Sequence, residues 1–340
     1  MPTDRRTLLL GLLASGAARA ARAAAPTGRD FAPEALSAAV DRARGFKQLH
    51  SLVVARGGRV AVAEAARGPG LERPVNVKSV SKTIVAALTG AALDRGALAS
   101  VDQKATDFLA APRGADPRIR EITLAHLLTM QAGLERTSGR NYGGWVQSRN
   151  WVADALSRPF VAEPGARFLY STGSYHLLGA VLSEATGRSL RDLALDWLGA
   201  PLDIDFPLWT RDPQGRFMGG NNMAMAPMAL YRFGEMARRR GLFGDARVLP
   251  ERWIAESWTP RTRSPFSGDL YGYGWFLTRL GGEPAAYARG YGGQMLFVVP
   301  GLDLVVAVTS DPTRPARSRG YAGALKALVG EGLVPAARAA

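Results

Sequence analysis

The sequence predicts a mixed α+β fold, an antiparallel sheet assembled from both ends of the chain and flanked by helices, with a mainly helical insertion between the ends. Three observations lead there. Short β-branched runs bounded by turn residues occur at 51–65 and again at 295–309. The intervening stretch carries apolar residues at helical spacing, separated by Gly/Pro-rich connections. Finally, 340 residues of which 47% are hydrophobic can bury the core of one large domain or two closely packed ones.

Residues 1–25 read as an address. Arg5-Arg6 precede an apolar stretch from Leu8 to Ala18, and small residues follow with cleavage options at Ala23 or Ala25. That is a twin-arginine export signal, which predicts a periplasmic or secreted protein. The apolar run is too short to serve as a stable membrane anchor.

The remaining elements follow in order. A helix is expected over Ala35–Arg44. Ser51–Ala55 and Val60–Ala65 flank Gly57-Gly58 as a hairpin. A helix opening near Ser79 shows Ile84, Leu88 and Ala91 at helical spacing and can stop at Gly96. Thr123–Thr129 and His176–Thr186 are further helices. Tyr271–Leu277 is expected as a strand, Met295–Val299 and Leu302–Thr309 as a hairpin around Pro300-Gly301, and Gly320–Leu333 as a closing helix. The resulting division is a discontinuous sheet domain, 26–80 with 261–340, and a mainly helical domain over 81–260. A cleft between them is the natural place for a site.

Composition excludes several classes. Cysteine is absent, so disulfide frameworks, thiol nucleophiles and Cys-ligated metals drop out. The three histidines, His50, His126 and His176, form no metal-ligand spacing, so no metal is expected. The net charge of +14 comes from dispersed arginines without interleaved aromatics, which predicts no nucleic-acid partner but an attraction to anionic envelope surfaces. No G-x-S-x-G elbow, Walker loop or G-x-G-x-x-G is present.

The chemistry starts at Ser79. Ser79 and Lys82 lie three residues apart at a helix start, so their side chains share one face. A lysine held neutral can accept the serine proton, and the helix N-terminus aims N–H groups at a developing oxyanion. An ordinary lysine titrates near 10.4, so the site must lower that value. The same spacing also arises where a serine caps a helix and the lysine is solvated, so context decides.

That context resembles the serine β-lactamase and penicillin-binding-protein superfamily, most closely its class C-like branch of esterases, D-peptidases and 6-aminohexanoate-oligomer hydrolases. The similar segments are SVSKT, LHSLVVARGGRVAVAEAARG, ITLAHLLTMQAGL, EPGARFLYSTGSYHLLGAVLSEATG, YGYGWFL and ARGYGGQMLFVVPGLDLVVAVTSD. The resemblance implies a β-lactamase/transpeptidase-like fold, a three-layer α/β/α domain beside an all-helical one. It makes Ser79 the nucleophile, Lys82 its proton acceptor, and Tyr170 the tyrosine of a Y-x-N motif that shuttles protons, its pKa lowered by neighbouring cations. Thr172 stands where that motif has Asn. Tyr291-Gly292-Gly293 stands where many members have K-T-G or H-x-G, with the N–H of Gln294 and that of Ser79 as the oxyanion hole. Arg289 either takes the place of the missing lysine in holding a substrate carboxylate or is a solvated strand end. The expected reaction is hydrolysis of a small or peptide-like ester or amide through an acyl-enzyme, without a cofactor. A β-lactamase, a D-alanyl-D-alanine carboxypeptidase and a non-catalytic penicillin- or peptide-binding sensor remain open alternatives. Tyr142, Trp145 and Trp151 are candidates for an acyl pocket or for core, and Asn221-Asn222 for the cleft edge or a turn. His126 and His176 are expected to be structural.

Overall fold

The computed structural model describes residues 31–340, so the export signal expected at 1–25 lies outside the described residues. Its centre is one antiparallel sheet of eight strands: β1 (Leu49–Arg56), β2 (Arg59–Ala65), β3 (Thr262–Arg263), β4 (Leu270–Tyr271), β5 (Phe276–Leu280), β6 (Glu283–Gly290), β7 (Gln294–Val299) and β8 (Leu304–Ser310). The order is β2-β1-β8-β7-β6-β5-β4-β3. The two ends of the chain meet where β1 pairs with β8, Val53 opposite Ala307. The β1–β2 turn is tight because Gly57 and Gly58 both take positive φ, 58° and 83°.

The expected strand over Tyr271–Leu277 is broken. β4 and β5 are separated by a bend in which Gly272 N–H donates to Trp275 O at 3.0 Å. Gly274, at φ 77°, comes close enough to the helix after Ser79 that a Cβ there would be 2.6 Å from that of Ala86. Contact with that helix outweighs the local strand propensity. β6, rich in alanine and with Pro284 near its start, has no strong strand pattern of its own. It forms because β5 and β7 pair with it on both sides.

Helix α1 (Pro33–Arg44) follows the described start, α2 (Ser81–Asp94) carries Lys82, α3 (Thr172–Thr186) begins beside Tyr170, and α4 (Pro227–Arg238) and α5 (Tyr321–Ala327) flank the sheet. The closing helix runs further than Leu333: α5 continues through a wide turn at Leu328–Leu333 into Val334–Arg338. Every residue of β7 and β8 is buried, so both faces of the sheet are covered. α4 covers one face, with Gly234 against Leu296 and Val305. α5 covers the other, where Lys326 Nζ lies 5.3 Å from the centre of the Tyr287 ring. The resulting layers are helix, sheet, helix, as expected.

α2 is apolar on all sides and buried from Ser81 to Ala92. A helix of that kind must run through the interior. α2 packs against α3, while Trp253 crosses it at Gly90 and donates its indole N–H to Ala86 O at 3.1 Å. A Cβ on Gly90 would be 2.2 Å from the Trp253 ring. Gly90→Ala is therefore expected to destabilise the fold by about 1–3 kcal/mol through overpacking. Thermal unfolding checks this, and an unchanged Tm contradicts it.

Candidate active site

Lys78–Val80 forms a 3-10 turn that runs into α2, and Ser79 sits in its middle, half-buried. Lys78 takes φ 52°, the left-handed region that costs a non-glycine residue about 1–2 kcal/mol. Three hydrogen bonds over-determine the turn. Lys78 N–H donates to Asn76 Oδ1 at 2.8 Å, Ser81 Oγ–H to Lys78 O at 2.5 Å, and Met223 N–H to Ser81 Oγ at 3.0 Å. From the sheet side Gly290 presses against it: a Cβ there would stand 2.3 Å from Val77 O.

Lys82 lies one turn on, 2% exposed. Its Nζ is 2.9 Å from Ser79 Oγ, 2.5 Å from Gly220 O and 3.3 Å from Thr172 Oγ1. Burial without a carboxylate partner lowers its pKa from 10.5 to about 7. The valences then sort themselves. A neutral amine has two N–H groups and one lone pair. As the ammonium, Nζ donates to Ser79 Oγ, Gly220 O and Thr172 Oγ1; in the neutral form two N–H groups serve Gly220 O and Thr172 Oγ1, and the lone pair can face Ser79 Oγ. Gly220 was not singled out from sequence. The paired glycines Gly219-Gly220 were its only signal, and they pack on α3, where a Cβ on Gly220 would be 2.5 Å from Thr172 O.

Tyr170 completes the cluster, the centre of its ring 4.9 Å from Lys82 Nζ. Its pKa moves opposite to expectation. Burial raises it, while a hydrogen bond with Ser79 and the charge of Arg289 pull the other way without prevailing. The phenol therefore keeps its proton and acts as a donor. Thr172 replaces the amide of an Asn with a hydroxyl bonded to Ser138 Oγ at 2.9 Å, and Ser138 Oγ also accepts from Thr172 N–H at 2.8 Å. Ser138 carried no sequence signal.

Only part of the 289–294 segment faces the cleft, which has a volume of about 580 Å³. Arg289, Gly290 and Tyr291 line it, and Tyr291 is 53% exposed. Arg289 is not a solvated strand end: its guanidinium donates to Ser318 Oγ at 2.8 Å and Ala316 O at 2.7 Å. Gly292, Gly293 and the Gln294 side chain sit behind this wall. Gly292 and Gly293 have φ 85° and 94° and are packed on Asp311 and Tyr321. The Gln294 side chain is buried, donating to Ser310 O at 2.7 Å and accepting from Ser310 N–H at 3.0 Å, so it ties β7 to β8.

The aromatic candidates divide. Tyr142 lines the cleft and its hydroxyl accepts from Asn221 Nδ2 at 3.0 Å. Trp145 and Trp151 are core, both packed edge-on against His176. His176 is itself buried and bonded to Asp212 at 3.1 Å, and His126 reciprocates the Thr123 cap of the helix Leu124–Leu128. Among the described residues no group of His, Asp or Glu could hold a metal ion, and no helix is long and apolar enough to cross a membrane.

The family model described as Beta-lactamase matches residues 48–331. Among curated proteins, a Dichelobacter nodosus protein named as fimbrial assembly protein FimD, serogroup H1, is 31% identical over 136 residues, 37% of this chain and 34% of that protein. The chain thus matches about a third of that relative's length. Solved structures share the fold at low identity. A Bacillus anthracis protein with the provisional name 6-aminohexanoate-dimer hydrolase superposes with TM-score 0.74 at 17% identity, covering 89% of this chain and 81% of that one. A penicillin-binding protein homologue from Caulobacter crescentus gives TM-score 0.72 at 16% identity, covering 90% and 99%. EstCE1, a hydrolase with promiscuous acyltransferase activity, gives 0.69 at 19%, covering 88% and 97%. With a family match across most of its length and a sheet, helices and serine–lysine–tyrosine cluster of this form, the chain belongs to the beta-lactamase family.

Proposed function

We propose that this protein is an exported serine hydrolase that cleaves an ester or amide through an acyl-enzyme on Ser79. The observation that carries the reading is Lys82, buried, 2.9 Å from Ser79 Oγ and with a pKa lowered to about 7. At neutral pH a large fraction of Lys82 is the free amine that can take the serine proton as Oγ attacks the carbonyl. The tetrahedral oxyanion is held by the backbone N–H of Ser79 and, as the resemblance implies, that of Gln294. Tyr170, still protonated, passes a proton to the leaving group and recovers it as the amine resets. Water then deacylates Ser79 by the reverse proton path, and no cofactor enters. Thr172 in place of Asn favours esters and simple amides over β-lactams, because it lacks an amide to hold a substrate carbonyl.

Labelling tests the assignment. A fluorophosphonate and, separately, a fluorescent penicillin are applied to wild type and to Ser79→Ala. Fluorophosphonate labelling that vanishes in Ser79→Ala is the expected result. Penicillin labelling that needs Ser79 redirects the reading to β-lactams or D-peptides, and labelling by neither reagent removes Ser79 as nucleophile.

A further inference from the structure

We propose that Lys78 makes the cleft selective for substrates carrying a carboxylate near the scissile bond, an inference that rests on the hydrolase reading above. The backbone points there first. Lys78 holds φ 52° immediately before the nucleophile, a conformation glycine adopts freely and lysine only under strain. The turn itself has no need of this side chain, because its hydrogen bonds use the Lys78 backbone and the side chains of Asn76 and Ser81. What lysine adds is a charge beside Ser79.

The surroundings leave that charge uncompensated. Lys78 is half-buried, lines the cleft, and leaves the turn next to Gly290. No acidic side chain lines this cleft, whereas Arg136 and Arg289 do. Arg136 lies 5.3 Å from the centre of the Phe266 ring, and Arg289 is held by a hydroxyl and a carbonyl. Among the described residues none of the three cations has a carboxylate within ion-pair distance. Burial lowers the Lys78 pKa with nothing opposing it. A half-buried cation without a counter-charge is unfavourable, and a cleft of one sign concentrates the opposite sign. A carboxylate seated by Lys78 meets both conditions.

The test is a selectivity ratio. Two ester pairs differ mainly in a carboxylate: 4-nitrophenyl hydrogen glutarate against 4-nitrophenyl pentanoate on the acyl side, and 3-acetoxybenzoate against phenyl acetate on the leaving side. For at least one pair, the ratio of kcat/KM, charged over neutral, is expected to fall about tenfold or more in Lys78→Met and to be largely kept in Lys78→Arg. Lys78→Gly, which takes the same φ without strain, repeats the measurement if the methionine variant folds poorly. Ratios within about twofold of wild type for both pairs overturn the proposal. If Ser79-dependent turnover is absent for every ester, the hydrolase reading fails by itself. Lys78 is then judged by calorimetric titration of glutarate and 3-acetoxybenzoate into Ser79→Ala and Ser79→Ala/Lys78→Met. Tighter binding to the first protein supports the assignment, and equal or undetectable binding to both overturns it.

Discussion

Replacing Lys82 by methionine is expected to remove turnover and, at the same time, to raise thermal stability at pH 7. Both effects come from the same burial. The folded-state pKa of about 7 lies below the ordinary lysine value of 10.5, so the unfolded chain binds the proton more readily than the folded one. The penalty is complete below pH 7 and fades as pH rises from 7 to 10.5. A shift of that size corresponds to roughly 4–5 kcal/mol of lost stability at pH 7 and below. Methionine fills a similar volume without the charge. It leaves Gly220 O without its partner, which returns about 1–3 kcal/mol of the gain. A Tm a few degrees above wild type is the expected balance at pH 7, and the difference should shrink toward pH 10. Ester turnover should fall by about 10²–10⁴-fold in kcat, the usual worth of a general base.

The wild-type pH profile makes the same claim without a mutation. Lys82 accepts a proton only when neutral, so kcat/KM should climb through an apparent pKa near 7 and fall away on the acid side. Tyr170, raised above its ordinary value, should not titrate in this range. A profile that is flat between about pH 5.5 and 8.5 removes Lys82 from the base role.

The second large effect is expected from Gly290→Ala. A methyl group there would stand 2.3 Å from Val77 O and 3.0 Å from Lys78 Cβ, both on the turn that presents Ser79. Neither neighbour is the free end of a flexible side chain, so β6 and the turn must move apart. A displacement of about 1 Å between nucleophile and oxyanion donors costs on the order of 100-fold in rate. Stability should drop by about 1–3 kcal/mol, leaving a folded but nearly inactive protein. Circular dichroism and kcat/KM on a 4-nitrophenyl ester separate the two effects. Activity within about threefold of wild type shows that the close approach is not needed.

Much of this was legible in the chain. The hairpins at 51–65 and 295–309 announce themselves because β-branched residues and turn glycines act locally. Lys82 could be paired with Ser79 because three residues of helix bring two side chains to one face. Tyr170 and Thr172 were found through the resemblance of their flanking segment, not through spacing. The break between β4 and β5 was invisible, because it is decided by how closely Gly274 approaches α2.

Distances across the chain were beyond reach for the same reason. Gly220 stands 138 residues from Lys82 and accepts its N–H, yet a glycine carbonyl carries no mark in a sequence. The resemblance pointed to the backbone N–H of Gln294, whereas the work of its side chain, which ties β7 to Ser310, shows only in the pairing of β7 with β8. The direction of the Tyr170 shift depends on how burial compares with Arg289 and Ser79, a comparison of distances. Residue type and local spacing offered Ser79 and Lys82 as a pair on one face and indicated the class of fold, since those follow from short-range sterics and periodicity, while the roles expected of the pair came from the resemblance of the flanking segments. The lowered pKa of Lys82, the uncompensated charge of Lys78 and the wall of the cleft were decided by the tertiary structure, because desolvation and ion pairing depend on what the fold brings within a few ångströms of a charge.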